Sequence, residues 1–250
     1  MPIEVQIYGH VALIEMRDPP HNFLNVAQVA AIADALEGFE QDADVRAAVL
    51  AAEGRSFCAG ANFDSSDRTG GSSEDLYAQA ARLCEVSTPF IAAIQGPAIG
   101  GGLGLAMTAT MRVACPEARF SANFVKLGIH QGFGLSVTLP ETIGPSRAAH
   151  VLLSGRRFNG EEAAQLGMAD MCVPAEQLRE RAMELASEIA SGAPLAIRAI
   201  NRTLRAGLGD RVRAATKHEA EEQARLFGTE DAREGVRSVT ERRDGNFVGR

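Results

Sequence analysis

The 250-residue chain has no tryptophan, two tyrosines and four cysteines. Cys58, Cys84, Cys115 and Cys172 are scattered. No two form a C-x-x-C pair and no H-x-x-x-H accompanies them, which excludes a structural zinc centre and a disulfide framework. Cysteines spaced this way are expected to be small buried hydrophobes in a reducing, cytoplasmic compartment. Positive charge is also in short supply. With 25 Lys+Arg against 32 Asp+Glu the net charge is −7, and no basic tail exists, so a general nucleic-acid binder is excluded. The opening Met1-Pro2-Ile3-Glu4-Val5-Gln6 lacks a basic start and an apolar core, so no secretory leader is expected. Residues 86–111 carry no charge and are long enough for a bilayer, but Pro89, Pro97 and five glycines between 96 and 104 interrupt them. That stretch reads as a buried strand, a Gly loop and a buried helix, and no membrane partner is expected.

Familiar catalytic signatures are missing too. There is no G-x-S-x-G elbow and no G-x-x-x-x-G-K-[ST] loop. Gly102-x-Gly104 invites a dinucleotide reading, but Met107 stands where the third glycine belongs, and no acid follows at about 20 residues. A nicotinamide oxidoreductase is therefore disfavoured.

Glycine is abundant, at 25 residues. Ile3–Tyr8 and Val11–Met16 are β-rich runs split by Gly9-His10, which predicts a hairpin. Asn25 caps a helix whose Val29, Ile32, Ala33 and Leu36 share a face. Short apolar strands are expected at 47–51, 89–94, 113–115 and 119–121, with helices at 74–86 and 102–110. Residues 95–102 read as a loop. From Pro145 onward the pattern is helical, with an amphipathic stripe at Leu178, Ala182, Leu185, Ala186 and Ile189. The fold class is thus α/β. The expected division is a core over residues 1–192 and a C-terminal helical oligomerisation or lid region over 193–250.

Two glycine-containing loops each join a strand to a helix. A helix N-terminus offers free N–H donors, and small residues let the backbone approach a ligand. Phe57-Cys58-Ala59-Gly60-Ala61-Asn62 resembles the F-x-A-G-x-D loop of the crotonase (enoyl-CoA hydratase/isomerase) superfamily. Pro89 to Gly102, reading PFIAAIQGPAIGGG, resembles its P-x-I-A-A-I-x-G-x-A-x-G-G-G segment. Ala118-Arg119-Phe120, Leu127-Gly128-Ile129, Gly155 to Ala163 and Leu166-Gly167-Met168 continue the likeness over almost the whole chain.

The resemblance implies a spiral of ββα units with a C-terminal helical region, assembled as a homotrimer or a dimer of trimers. It implies an acyl-CoA thioester substrate and no separate cofactor or metal. The backbone N–H groups of Ala61 and Gly101 would form an oxyanion hole, with Cys58, Ala59, Gly60, Gly100, Phe124 and Gly132 around the substrate or its CoA moiety. The loop Arg17 to Asn22 would help to enclose the CoA head. Preorganised donors at such a hole stabilise an enolate-like oxygen without any side chain.

The side chains depart from the family pattern. Hydratases of this kind carry a glutamate at the position of Gly104 and another at that of Phe124; isomerases need the second. Water addition requires a base and an acid, and neither Gly nor Phe is either. The displacing aspartate of related dehalogenases would fall near Gly132. His130 is the candidate acid or base, since its charge changes near neutral pH; a loop histidine bonded to backbone is the alternative. Asn62, Asp64, Asn123, Lys126 and the Tyr77 hydroxyl are weaker candidates. Phe124 reads as a hydrophobic wall; Phe247 with Arg242 and Arg243 reads as a salt-bridged surface helix, with a pocket closure or a contact to CoA phosphates as the functional alternative. Two functions stay open: an enzyme working through a stabilised enolate, and an acyl-CoA binder that has lost catalysis.

Overall fold

The computed structural model describes residues 3–61 and 73–250. The expected hairpin is β1 (Ile3–Tyr8) and β2 (Val11–Met16), antiparallel with Tyr8 opposite Val11. From β2 onward the main sheet is parallel. It adds β3 (Ala47–Ala52), β4 (Phe90–Ile94), β6 (Met111–Ala114) and β9 (Met171–Cys172), in the order β1-β2-β3-β4-β6-β9.

The two crossovers that matter for the site run through α1 (Val26–Phe39) and α2 (Ser73–Glu85). Asn25 caps α1 by accepting from the N–H of Gln28, as the sequence predicts. β3 and β4 are buried along their entire length. On one face, Leu50 and Phe90 join Ile32 and Leu36 of α1. On the other, Val49, Ile91 and Val113 meet Leu178, Ala182 and Leu185 of α7 (Leu178–Ala190). A sheet covered on both faces demands continuous apolar strands, and that is why these runs do not alternate.

A second sheet joins β5 (Pro97–Ile99), β7 (Arg119–Ser121) and β8 (Phe158–Asn159). β5 lies inside the stretch expected to be a loop. It is three residues long, opens on a proline and exists through its parallel pairing with β7. No local periodicity announces so short a strand. It ends at α3 (Gly101–Thr108).

The rest is helical: α4 (Leu135–Ile143), α5 (Pro145–Ser154), α6 (Gly160–Leu166), α7, α8 (Pro194–Leu204), α9 (Leu208–Phe227) and α10 (Glu230–Glu241). Cys58, Cys84 and Cys115 are buried free thiols, and Cys172 is half-buried. α9 packs along α2. α10 packs on the 3-10 turn Asn123–Leu127. Gly235 makes that contact possible, because a Cβ there would lie 2.4 Å from the carbonyl carbon of Leu127. The end of the chain is thereby brought beside the loops that carry the site. No helix of the described residues is long and apolar enough to cross a membrane.

Candidate active site

Three segments build the site. The first is the loop after β3. Asn22, fully buried, donates to the carbonyls of Glu53 (2.7 Å) and Ser56 (2.8 Å) and accepts from the N–H of Asp18 (2.9 Å). It ties the Arg17–Asn22 loop to the start of the glycine loop. Ala59 donates to the His21 carbonyl at 3.0 Å, and Leu24 donates to the Gly60 carbonyl at 2.9 Å. On its other side the loop is stitched to β5: Cys58 donates to Pro97 O and Ile99 to Cys58 O, both at 3.0 Å.

The second segment is the turn from β5 into α3. Gly100 lies in the left-handed region (φ +57°) and donates to Ser121 O at 2.8 Å. Gly102 presses against the first loop so closely that a Cβ would lie 2.1 Å from the Cys58 carbonyl oxygen. Contact of that kind is open only to glycine. It draws the N-terminus of α3, whose first N–H groups have no intrahelical acceptor, up to the loop that carries Ala61.

The third segment, residues 128–134, returns beneath them. Phe133 has φ +60°, uncommon for a bulky side chain, and Gly134 follows at +75°. The conformation is held by the carboxylate of Glu219 on α9. Fully buried, it accepts from Gly134 N (2.8 Å) and Ser136 N (3.0 Å) at the start of α4. A carboxylate at a helix N-terminus also meets the positive end of the helix dipole.

Between these segments lies a cavity of about 150 Å³. The backbone of Ala59, Gly60, Ala61, Gly100 and Gly101 forms one side, and Phe124, Leu127, Ile129 and Phe133 give an apolar side. Asn123, Tyr77 and Gln223 supply polar atoms. Tyr77 donates to Gln223 Oε1 at 2.7 Å, and Gln223 Nε2 donates to the His130 carbonyl at 2.9 Å. Burial, reinforced by the nearby charge of Glu219, pushes the Tyr77 hydroxyl well above the ordinary phenol range. It keeps its proton.

Of the residues expected from the sequence, Ala59, Gly60, Ala61, Gly100, Gly101, Phe124 and Gly132 therefore share one cavity. Two do not line it. Cys58 lies behind the loop, completely buried, and burial pushes its thiol up to about 12. The His130 ring points away from the wall: Nδ1 is bonded to the Gln131 carbonyl at 2.8 Å, and the ring stands edge-on to His218 with centroids 5.9 Å apart. His130 reaches the site through its carbonyl. Asn62 and Asp64 lie outside the described residues.

Gly104 lies on α3 directly under Phe133, where a Cβ would be 2.7 Å from the Phe133 Cβ and 2.9 Å from its Cδ1. The phenyl ring occupies the space that a side chain at 104 would enter. Gly104→Glu is accordingly expected to cost about 1–3 kcal/mol through overpacking. Gly104→Ala, which adds a methyl and no carboxyl group, should lose less, as read from paired thermal denaturation curves.

Lys126, Arg242, Arg243 and Phe247 line a second, larger groove of about 990 Å³, together with Arg55 and Arg157. Asn123 borders both spaces, so the basic groove adjoins the apolar cavity. Sequence reasoning missed Leu24, Leu76, Phe133, Gln223 and Phe227 on the cavity wall. For Gln223 a signal exists. Val212, Thr216, Glu219 and Gln223 follow the 4-3-4 spacing of a buried helical face, and three of them are polar. Polar residues on a buried stripe need partners; Glu219 and Gln223 find theirs in the 130–136 segment and Tyr77, whereas Thr216 donates to the Arg213 carbonyl of its own helix.

Comparison with known proteins agrees with this architecture. The family model described as enoyl-CoA hydratase/isomerase matches residues 6–250. A probable enoyl-CoA hydratase of Bacillus subtilis is 31% identical over 254 residues, covering 99% of this chain and 98% of the relative. A putative enoyl-CoA hydratase of Thermus thermophilus is 34% identical, covering 96% and 98%. Among solved structures, carnitinyl-CoA hydratase from Mycobacterium avium superposes with a TM-score of 0.87 at 30% identity, covering 100% and 99%. The fold is that of the crotonase superfamily. The chain belongs to the enoyl-CoA hydratase/isomerase family.

Proposed function

We propose that this protein is an enzyme that acts on an acyl-CoA thioester by stabilising an enolate in a backbone oxyanion hole. The observation that carries the reading is the Gly102–Cys58 contact, which sets Ala61 and Gly101 on one cavity. In this reading their two N–H groups hold the thioester oxygen as negative charge develops on it. Such donors act without reorganisation, and each is worth about 2.7–4 kcal/mol where tested. Phe124 and Phe133 then form the apolar floor against the acyl chain.

The basic groove supports the CoA half of the ligand. Arg55, Lys126, Arg157 and Arg242 bring four cations around one space beside the acyl cavity; Arg243 also lines it but is paired with Glu234 and Glu241, and Asp244 adds one negative charge. Arg157→Ser/Arg242→Ser is expected to weaken a CoA ester by roughly tenfold. The same change should leave the matching N-acetylcysteamine thioester, which has no phosphates, within twofold. Competition binding on both ligands checks this.

The reaction itself is not that of an ordinary two-glutamate hydratase in this proposal, because Gly104 and Phe124 stand at those positions. The same observation favours a second reading, a non-catalytic acyl-CoA binder. Incubation with short, long and aromatic enoyl-, acyl- and β-ketoacyl-CoA esters, followed by mass spectrometry, separates the two. With the incubation run in D2O, a changed thioester mass, including the uptake of deuterium that follows enolate formation or isomerisation, supports the enzyme and points to its reaction class. Binding of CoA esters with no turnover supports the binder. Failure to bind any CoA ester overturns both. Assembly as a homotrimer or dimer of trimers belongs to the same proposal. It is supported by the exposed Leu195, Ile200 and Leu204 of α8, and sedimentation tests it.

A further inference from the structure

The polarity of one hydrogen-bond chain fixes what the Tyr77 hydroxyl can offer to a ligand in the cavity. The His130 carbonyl can only accept. The Gln223 atom 2.9 Å from it must therefore be the amide nitrogen, whichever way the amide is drawn. Gln223 Oε1 is then the atom 2.7 Å from the Tyr77 oxygen, and an amide oxygen can only accept. The Tyr77 proton is thus committed to Gln223. What remains on the hydroxyl is its lone pairs.

Tyr77 and Gln223 both line the cavity, and so does Gly132, whose lack of a side chain makes room for the hydroxyl. A Cβ at 132 would lie 2.1 Å from the Tyr77 oxygen. The hydroxyl is neutral and buried, so it does not act as a charged base.

We infer that Tyr77 is a specificity-determining hydrogen-bond acceptor that selects an acyl group carrying a hydroxyl donor. This rests on the acyl-CoA reading above and narrows it. The cavity presents N–H donors at its glycine-loop side and an acceptor at Tyr77. A ligand that satisfies both carries a thioester oxygen and, elsewhere on its acyl chain, an O–H. A plain hydrocarbon acyl group would leave the tyrosine lone pairs without a donor, and a keto group would set oxygen against oxygen.

The test is competition binding of butyryl-CoA, acetoacetyl-CoA, 3-hydroxybutyryl-CoA and 4-hydroxybutyryl-CoA. At least one hydroxylated ester is expected to bind about tenfold more tightly than butyryl-CoA. In Tyr77→Phe that preference should fall to twofold or less. Gln223→Met is a second, independent variant. It frees the tyrosine proton to point into the cavity, so the ratio of acetoacetyl-CoA to hydroxybutyryl-CoA affinity should rise at least fivefold. The inference is overturned if the natural protein binds butyryl-CoA as tightly as both hydroxylated esters. It is equally overturned if Tyr77→Phe keeps the preference, or if Gln223→Met leaves the ratio unmoved. If none of the four binds while longer or aromatic CoA esters do, or if all four bind equally, this inference falls and the acyl-CoA reading stands; if no CoA ester of any kind binds, both fall.

Discussion

Gly102→Ala is expected to lower turnover of the acyl-CoA substrate by about a hundred- to a thousandfold, the loss typical of a disabled oxyanion donor. The added methyl would stand 2.1 Å from the Cys58 carbonyl oxygen and 2.8 Å from its carbonyl carbon. Neither atom belongs to a flexible side chain. Cys58 is bonded to β5 on both sides of its peptide, and Ile99 leads directly into α3. The strain must be relieved by separating α3 from the loop, which moves Gly101 away from Ala61. Gly38→Ala is the matched control, because a Cβ there meets nothing within 4 Å. Steady-state kinetics on the two variants decides the matter. Equal activity in both would remove the backbone contact from the mechanism.

Glu219→Ala is expected to destabilise the protein by about 3–4 kcal/mol, measured as a shift in the denaturation midpoint. It leaves the N–H groups of Gly134 and Ser136 without their acceptor, and each unpaired buried donor costs about 1–3 kcal/mol. The charge facing the N-terminus of α4 goes with it. The left-handed pair Phe133-Gly134 then loses its anchor, so affinity for CoA esters should fall together with stability. Glu219→Gln keeps one accepting oxygen and should recover roughly half of the loss. A full-strength fold in Glu219→Ala would mean that the Phe133 ring alone holds this loop.

Both variants concern contacts that bind distant parts of the chain, and they mark where sequence reading stopped. The role proposed for the loops around Ala61 and Gly101 came from the resemblance of their motifs to those of the family, but the loops themselves stood out because a glycine segment after a strand is a local pattern. The hairpin, the Asn25 cap and the α7 stripe were legible for the same reason: turn chemistry, capping and 3.6-residue periodicity are properties of neighbouring residues. β5 was not, since its pairing with β7 is a contact between segments and not a feature of Pro97–Ile99.

At the site the division is sharper. The sequence by itself determined that residues 104 and 124 are Gly and Phe, and hence that no carboxylate stands at either position. Only the tertiary structure decided what fills the space over Gly104, because Phe133 arrives from a separate loop in a left-handed conformation. It also directed the His130 ring toward His218 instead of the cavity, and set Cys58 behind the loop it belongs to. Gln223 comes from α9, 146 residues beyond the Tyr77 it binds. Side-chain direction and long-range partnership follow from how packed elements close on one another, and no local pattern of residues encodes them.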